Sequence, residues 1–308
     1  MLPRYILGRL LGAIPTLLIL VTIAFFMIRV APGGPFDSDK TLPAEVQANL
    51  DAKYNLDQPL LTQYVQYLGS VLRGDLGPSF QYSDFTVNEL IAEGFPVSIQ
   101  LGASALALAL VFGVLIGTLA AWRQNSSLDY VLMGSAMTGI AIPNFVLAPI
   151  LVLVFAVYLG WLPAGGWGSG ELSNMVLPVI ALSLPYMAYV ARLTRGSMVE
   201  TLRSDFVRTA RAKGLPEWKI LGKHSLKVAV LPVISYLGPA AAAILTGSVV
   251  IEQIFGLPGM GRYFVQGALN RDYTLVMGVV IVIGLLIVLF NLIVDIIYAL
   301  IDPRIRYE

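Results

Sequence analysis

Residues equipped for chemistry are scarce in this chain, and they gather in one short run. The 308 residues include no cysteine and a single histidine, His224, which excludes disulfides, thiolate metal sites and multi-histidine zinc motifs. Gly168-Ser169-Gly170 superficially resembles a nucleophile turn. Serine–histidine chemistry needs direct hydrogen-bond contact, and the topology expected below puts His224 across a membrane from Ser169. A phosphate loop G-x-x-x-x-G-K-[ST] is absent. Its nearest fragment, Gly222-Lys223, lacks the upstream glycine and the following hydroxyl. No catalytic residue, no metal site and no bound cofactor are therefore expected on this chain. What remains is DFVRTARAKGLPEWKILGKHSLK, from Asp205 to Lys227, a cluster of positive charge broken by Gly-Leu-Pro.

That run reads as two short helices joined by a hinge. Asp205 is expected to cap and charge-complement the first helix. Phe206 and Ala210 are expected on one face at i, i+4, with Arg208 and Arg211 projecting from the rest. Gly214 suits a left-handed helix terminus, and Pro216 the first turn of the next helix, beside Glu217. Trp218, Leu221 and Leu226 would give the second helix an apolar stripe. From charge alone the run is a solvated basic loop touching anionic lipid. A helix–glycine–helix with an aromatic and a small-residue face also suits docking in a partner's groove.

The surroundings of the run are apolar. Hydrophobic residues make up 57% of the chain, charged residues 13%, and the mean hydropathy is +0.77, more apolar surface than a soluble core can bury. A membrane helix needs roughly 20 such residues. Six candidates are present: Leu10–Val30, Val97–Ala121, Tyr130–Leu159, Met175–Ala191, Val228–Val250 and Thr274–Ile301. The first, preceded by Arg4 and Arg9, is too long for a secretion signal. Pro143 and Pro149, then Pro178 and Pro185, predict kinks in the third and fourth. If both ends and the second and fourth connections share a side, fourteen of the twenty Lys and Arg residues lie there. The positive-inside rule then makes both termini cytoplasmic.

Outside, residues 31–93 form a long acidic segment with amphipathic stretches at Pro43–Tyr54 (Val46, Leu50) and Pro59–Leu72 (Leu61, Val65, Leu68, Leu72). It reads as a cap on the membrane domain or as a surface that receives another protein. A second external segment, Ile251–Asp272, begins with Glu252 and carries the Gly-Pro turn Leu257–Gly261. It is either a re-entrant gate lining or a tight surface turn. Asp295 is the one carboxylate well inside a span. It is either an interfacial ion pair with Arg304 or Arg306 or a proton relay, with Asn291 one turn earlier in support. The small run Pro239–Ala243, with Gly247 and Ser248, permits close helix approach. Tyr186, Tyr189, Asn144 and Tyr236 are candidate pore-facing polar groups.

The basic run resembles the cytoplasmic "EAA" loop of type I ABC importer permeases, E-A-A-x3-G-x9-I-x-L-P. Anchored on Gly214, the E-A-A positions fall on Arg208, Thr209 and Ala210. The distal I-x-L-P falls on His224, Ser225, Leu226 and Lys227. Ala210, Gly214 and Leu226 match the general pattern. The departures follow the oligopeptide/dipeptide/nickel branch, where R-T-A-R-A-K-G-L is usual. Gly74-Asp75-Leu76-Gly77, Trp161-Leu162-Pro163, Arg195-Gly196-Ser197-Met198, Leu257-Pro258-Gly259-Met260-Gly261 and Asp302-Pro303-Arg304 extend the likeness over the full length.

The resemblance implies an all-α polytopic membrane protein of six transmembrane helices with the type I ABC importer permease fold. Its parts would be an N-terminal helix (1–30), an extracytoplasmic segment (31–93), a transmembrane domain (94–300) with a coupling loop at about 195–227, and a tail (301–308). It implies half of a peptide-conducting pore in a bacterial inner membrane. The partners would be a second permease subunit in a homologous heterodimer, two ATP-binding subunits carrying ATP and Mg, an extracytoplasmic peptide-binding protein and membrane lipid, with no nucleic acid. Dipeptides, murein peptides or nickel chelates are the alternative cargoes. The ATPase-coupling residues would be Asp205, Phe206, Arg208, Thr209, Ala210, Arg211, Ala212, Lys213, Gly214 and Leu215. Glu252, Pro258, Gly259, Tyr186 and Asn144 are the candidates for gate or pore. An ion-coupled secondary transporter is the rival class. It calls for paired ionisable groups at mid-membrane, and Asp295 is single and off-centre.

Overall fold

Apolar runs of this length, interrupted mainly by proline and glycine, have one way to satisfy their backbone in lipid, which is to close it into helices. A computed structural model of the chain describes residues 2–30, 34–36, 44–82 and 84–301. Among the described residues the secondary structure is helical, with one isolated bridge between Pro78 and Thr86. In chain order come α1 (Leu2–Val30), α2 (Ala44–Lys53), α3 (Leu60–Leu72), α4 (Val87–Trp122), α5 (Ser127–Ala141), α6 (Asn144–Leu151) and α7 (Leu172–Leu202). Then follow α8 (Asp205–Ala212), α9 (Glu217–Lys219), α10 (Leu226–Ala229), α11 (Leu231–Phe255), α12 (Met260–Leu269) and α13 (Tyr273–Ile301).

Four helices are each long and apolar enough to cross a membrane, and two bent pairs raise the number of candidate spans to six. The expected third span is one of the pairs. It bends by 108° between Ser127–Ala141 and Asn144–Tyr158, a break rather than a kink. Ile142 precedes Pro143 and is forced into extended backbone (φ −94°, ψ 118°). Pro143 then starts α6, which widens into π-helical turns at Val152–Tyr158. The fifth span bends by 54° where Leu231 and Pro232 begin α11. Pro178 and Pro185, by contrast, leave α7 continuous.

Two compact units divide the described chain. Of the described residues, the first takes in 2–6, Ser98–Leu257 and 287–301, with α7 packed against α5, α6 and α11. Glycine lets α4 join this core: a Cβ at Gly117 would sit 2.5 Å from the Ala191 carbonyl oxygen and 2.6 Å from Thr194 Cβ. Asn291 of α13 lies over Gly238 of α11, its Oδ1 3.0 Å from where a Cβ would be. Asp295 on the same helix is half-buried.

The second unit comprises Leu7–Val97 and Pro258–Leu286. A capping box starts α4: the Thr86 backbone N–H donates to Glu89 Oε2 at 2.7 Å, and the Glu89 N–H to Thr86 Oγ1 at 3.3 Å. Residues 93 and 94 therefore lie inside a helix. Buried Asp272 accepts from Ser79 Oγ at 2.5 Å and from the Phe80, Gln81 and Leu275 backbone N–H groups. It thereby ties the strand-like loop before α4 to the start of α13. The segment Ile251–Asp272 is not a single tight turn. Its first five residues belong to α11, Gly256 closes that helix in left-handed backbone, and Met260–Leu269 forms a helix of its own. Pro43, Lys40, Arg304, Arg306 and the motif Asp302-Pro303-Arg304 lie outside the described residues, as do the side chains of Val46 and Leu50.

Candidate functional site

Eight residues are too few for a helix to persist alone, since isolated helices shorter than roughly 12–15 residues are marginal. The helix α8 exists because it is packed. Val207 (0% exposed) and Ala210 (7%) close against fully buried Ile220, with Leu202 and Leu215 around them. The buried face is thus an i, i+3 pair, and the expected pairing of Phe206 with Ala210 is wrong. Leu202 and Leu215 pack against this cluster, and Phe206, about 100° round the helix from Val207, stays 46% exposed. The expected stripe on the second helix also shifts. Trp218 is 70% exposed, and neighbouring Ile220 takes the buried place.

The ends of α8 follow from local chemistry. Ser204 occupies the N-cap position and donates its Oγ to the Thr201 carbonyl at 2.6 Å. Asp205 is the first helical residue rather than the cap, and its charge still complements the helix dipole. Arg208 reaches Asp205 at 2.8 Å, both side chains in solvent. Gly214 ends the turn with φ +75°, and a Cβ added there would meet nothing within 4 Å, so backbone conformation alone selects glycine. Pro216 is the N-cap of α9 rather than part of its first turn. Across the hinge, Arg211 Nε donates to Glu217 Oε1 at 2.8 Å and Nη2 to Oε2 at 3.3 Å. That fork holds the arginine pKa above its ordinary value. Phe206, Arg208, Thr209, Ala212, Lys213 and Gly214 are left facing outward.

The hinge stands on a second cluster, Ala121, Met198 and Ala229, with Val199, Leu202, Leu221 and Leu226 packed against it. Leu202 belongs to both clusters. Side chains from α4, α7 and the α9–α10 segment therefore form one packed base beneath α8. An ion pair braces the base: Arg195 Nε and Nη2 donate to the two carboxylate oxygens of Asp129, each at 2.6 Å. The Asp129 side chain is 2% exposed and that of Arg195 30%. Asp129 also accepts the Asn125 N–H at 2.9 Å, and its own N–H donates to the Ser126 cap at 3.4 Å. Reading the sequence for chemistry misses Asp129. It is the one carboxylate between Glu93 and Glu171, three residues after a serine N-cap.

The pore and gate candidates scatter. Tyr189 and Tyr236 stack at 5.5 Å with planes 16° apart, and the Arg192 guanidinium lies 4.6 Å over Tyr189. Tyr186 is half-buried on the same helix. Asn144 opens α6 at the break, its Oδ1 buried without a partner among the described residues. Glu252 does not begin an external loop. It is fully buried within α11 and accepts from Ser98 Oγ at 2.7 Å. Pro258 is half-buried, and Gly259 is the buried N-cap position of α12. Among the described residues no group of His, Cys, Asp or Glu is arranged to hold a metal. The site presents a shaped cationic surface packed on a buried base, and its described residues hold no acid–base or nucleophilic pair.

Known proteins share this layout. Residues 113–307 match the family described as binding-protein-dependent transport system inner membrane component, and residues 1–102 match its N-terminal counterpart. The oligopeptide transport system permease protein OppB of Escherichia coli (strain K12) is 59% identical over 304 residues, 99% of each chain. The dipeptide transport system permease protein DppB of Bacillus subtilis (strain 168) is 46% identical over 303 residues, 98% of each. Two solved structures share the fold at low identity. The inward-facing MetNI methionine ABC transporter gives a TM-score of 0.59 at 16% identity, covering 69% of this chain and 96% of that one. An amino acid ABC transporter gives 0.50 at 17%, covering 71% and 95%. The chain belongs to the binding-protein-dependent transport system inner membrane components, the permease subunits of ABC importers that work with ATPase subunits and a substrate-binding protein.

Proposed function

We propose that this chain is the membrane-spanning permease subunit of an ATP-driven oligopeptide importer and that α8 is the segment seated in the ATPase. The observation that carries the cargo is the 59% identity, over 99% of both chains, to an oligopeptide permease. The dipeptide permease at 46% keeps dipeptides as the second cargo class. The placement of Lys and Arg supports cytoplasmic termini and puts α8 on the cytoplasmic side. ATP and Mg belong to the partner ATPases, since this chain carries no phosphate loop of its own. A second, homologous permease completes the pore.

The geometry suits a lever. The outward face of α8 (Phe206, Arg208, Thr209, Ala212, Lys213) meets the ATPase cleft. Its inward face is locked by Val207, Ala210 and Ile220 onto the base formed by α4, α7 and α10. When the ATPases close, α8 moves as a rigid body and shifts α7 and α11 between inward- and outward-open arrangements. Arg208, paired only in solvent, is the cation able to exchange its partner for an acidic residue of the ATPase. Arg211 is already committed to Glu217.

The test is reconstitution of the chain with its partner subunits in proteoliposomes, measuring uptake of a labelled oligopeptide. Uptake that requires ATP and the binding protein, and that survives collapse of the proton gradient, is expected. Uptake driven by an imposed ion gradient without ATP overturns the proposal.

A further inference from the structure

The helix α3 is built inside-out. Its apolar residues Leu61, Val65 and Leu72 are 68%, 61% and 81% exposed, while Gln63 on the opposite side is 8% exposed. The buried amide is fully employed: Nε2 donates to the Leu56 and Gln58 carbonyls at 3.1 and 2.8 Å, and Oε1 accepts from Arg29 Nε at 2.9 Å. Exposed leucine and valine on an amphipathic helix need apolar surroundings, and α1 supplies the context. Its window Leu11–Val30 has membrane-spanning hydropathy, and Ile19, Ile23, Met27 and Val30 are exposed along it. Such a face suits the interfacial zone of a membrane, at the leaflet reached by the C-terminal end of α1.

Behind α3, at that depth, is a cavity of about 210 Å³ whose lining includes Arg29, Lys53, Tyr54, Gln66, Tyr67 and Ser70. Among the described residues no Asp or Glu lines it and Arg29 makes no ion pair. One face of the guanidinium rests 3.8 Å from the Phe25 ring centroid. The Tyr273 ring centroid lies 5.9 Å away, and among the described residues the only hydrogen bond from the guanidinium is that of Nε to Gln63. The Tyr67 hydroxyl is buried and without a partner among the described residues. Burial pushes its pKa well above the usual phenol range, so it remains a donor. Half-buried Arg29, exposed Lys53 and several neutral polar groups thus converge on a space that holds no counter-ion among the described residues, a setting that favours an anion.

We propose that this cavity binds the phosphate of a membrane phospholipid, with Arg29 as the principal ligand and Tyr67 and Lys53 in support. Guanidinium forks match phosphate oxygens two at a time, and a phospholipid phosphate is the oxyanion present at this depth in quantity. Tyrosines around the cavity fit the same level, where amphipathic rings concentrate at membrane interfaces.

The experiment uses the purified full-length chain, depleted of lipid in a neutral detergent, and follows thermal unfolding during titration with phosphatidylglycerol. A parallel arm uses sodium phosphate at equal phosphate concentration. Lipid is expected to raise the wild-type Tm saturably, because a ligand of the folded state stabilises it by mass action. Arg29→Gln should weaken the apparent affinity roughly tenfold or more, the loss of a charge-assisted fork. Tyr67→Phe, which keeps the ring, should weaken it by a smaller factor and serves if Arg29→Gln does not fold. Arg73→Gln, outside the cavity, should change nothing. Equal lipid shifts in wild type and Tyr67→Phe, or an equal shift with sodium phosphate, overturns the phospholipid site. So does a fluorophore on Val65→Cys that nitroxide-labelled lipids in nanodiscs fail to quench, because another protein surface then covers α3.

Discussion

Ile220→Ala attacks the joint between α8 and its base without touching the surface offered to a partner. Ile220 is 0% exposed and sits against Val207 and Ala210. Removing three carbons forfeits roughly 2.4 kcal/mol at about 0.8 per buried methylene, and an unfilled cavity carries the cost into the ~2–5 kcal/mol range seen for such truncations. Burial of Val207, at about 1.5–3 kcal/mol, is the main apolar contribution from α8 itself, so the loss is comparable to what holds the helix down. A local cost of 2–3 kcal/mol shifts the docking equilibrium by roughly 30- to 150-fold, at tenfold per ~1.4 kcal/mol. Hydrogen exchange on the full chain in nanodiscs reads this directly. Amides 208–213, bonded to carbonyls such as Ser204 and Thr209, should lose protection by that factor while those of α7 keep theirs. Peptide uptake per ATP should fall with it. Unchanged protection in α8, or a loss spread evenly through α7, refutes the reasoning.

Four further outcomes follow from the same geometry. Asp129→Asn should destabilise the chain toward the lower end of the ~3–5 kcal/mol of a broken buried pair, because Arg195 keeps 30% exposure. Melting curves of D129N and of the double variant with Arg195→Met should show the double variant recovering part of the loss. Gly214→Val forces a β-branched residue to φ +75°, where the left-handed penalty is about 1–2 kcal/mol even for an ordinary residue. Membrane yield should hold while ATP hydrolysis and peptide uptake come apart. Glu217→Gln removes a pair whose side chains are each 43% exposed, so stability should change by less than about 1 kcal/mol in chemical denaturation. Gly117→Ala drives a methyl against the Ala191 carbonyl and should cost ~1–3 kcal/mol, read as a lower Tm in detergent.

Hydropathy, proline and charge make much of this architecture legible. The six apolar runs of the sequence correspond to four single helices and two bent pairs, because length in lipid leaves the backbone few choices. Gly214 is legible too, since a positive φ between helices singles out glycine. The bend at Pro143 is expected in kind but not in size: proline marks where a helix is disrupted, while packing against α7 and α11 decides how far the pieces turn. The face of α8 is ambiguous in the sequence because eight residues hold two near-equivalent apolar pairs, Phe206–Ala210 and Val207–Ala210. Leu202 and Ile220, both outside the helix, choose between them. Asp129 escapes notice because its importance lies in Arg195, 66 residues away. The outward face of α3 is identifiable, but periodicity does not say whether an apolar stripe meets protein or lipid.

A lever role for α8 requires that its outward face touch the ATPase while its inward face does not. The chain has no native cysteine, so a single introduced thiol reports alone. In inside-out membranes containing the complete transporter, a short bifunctional thiol-to-amine cross-linker at Thr209→Cys should capture the ATPase subunit, and Val207→Cys should capture none. Capture from both positions, from neither, or of the external binding protein instead contradicts the account.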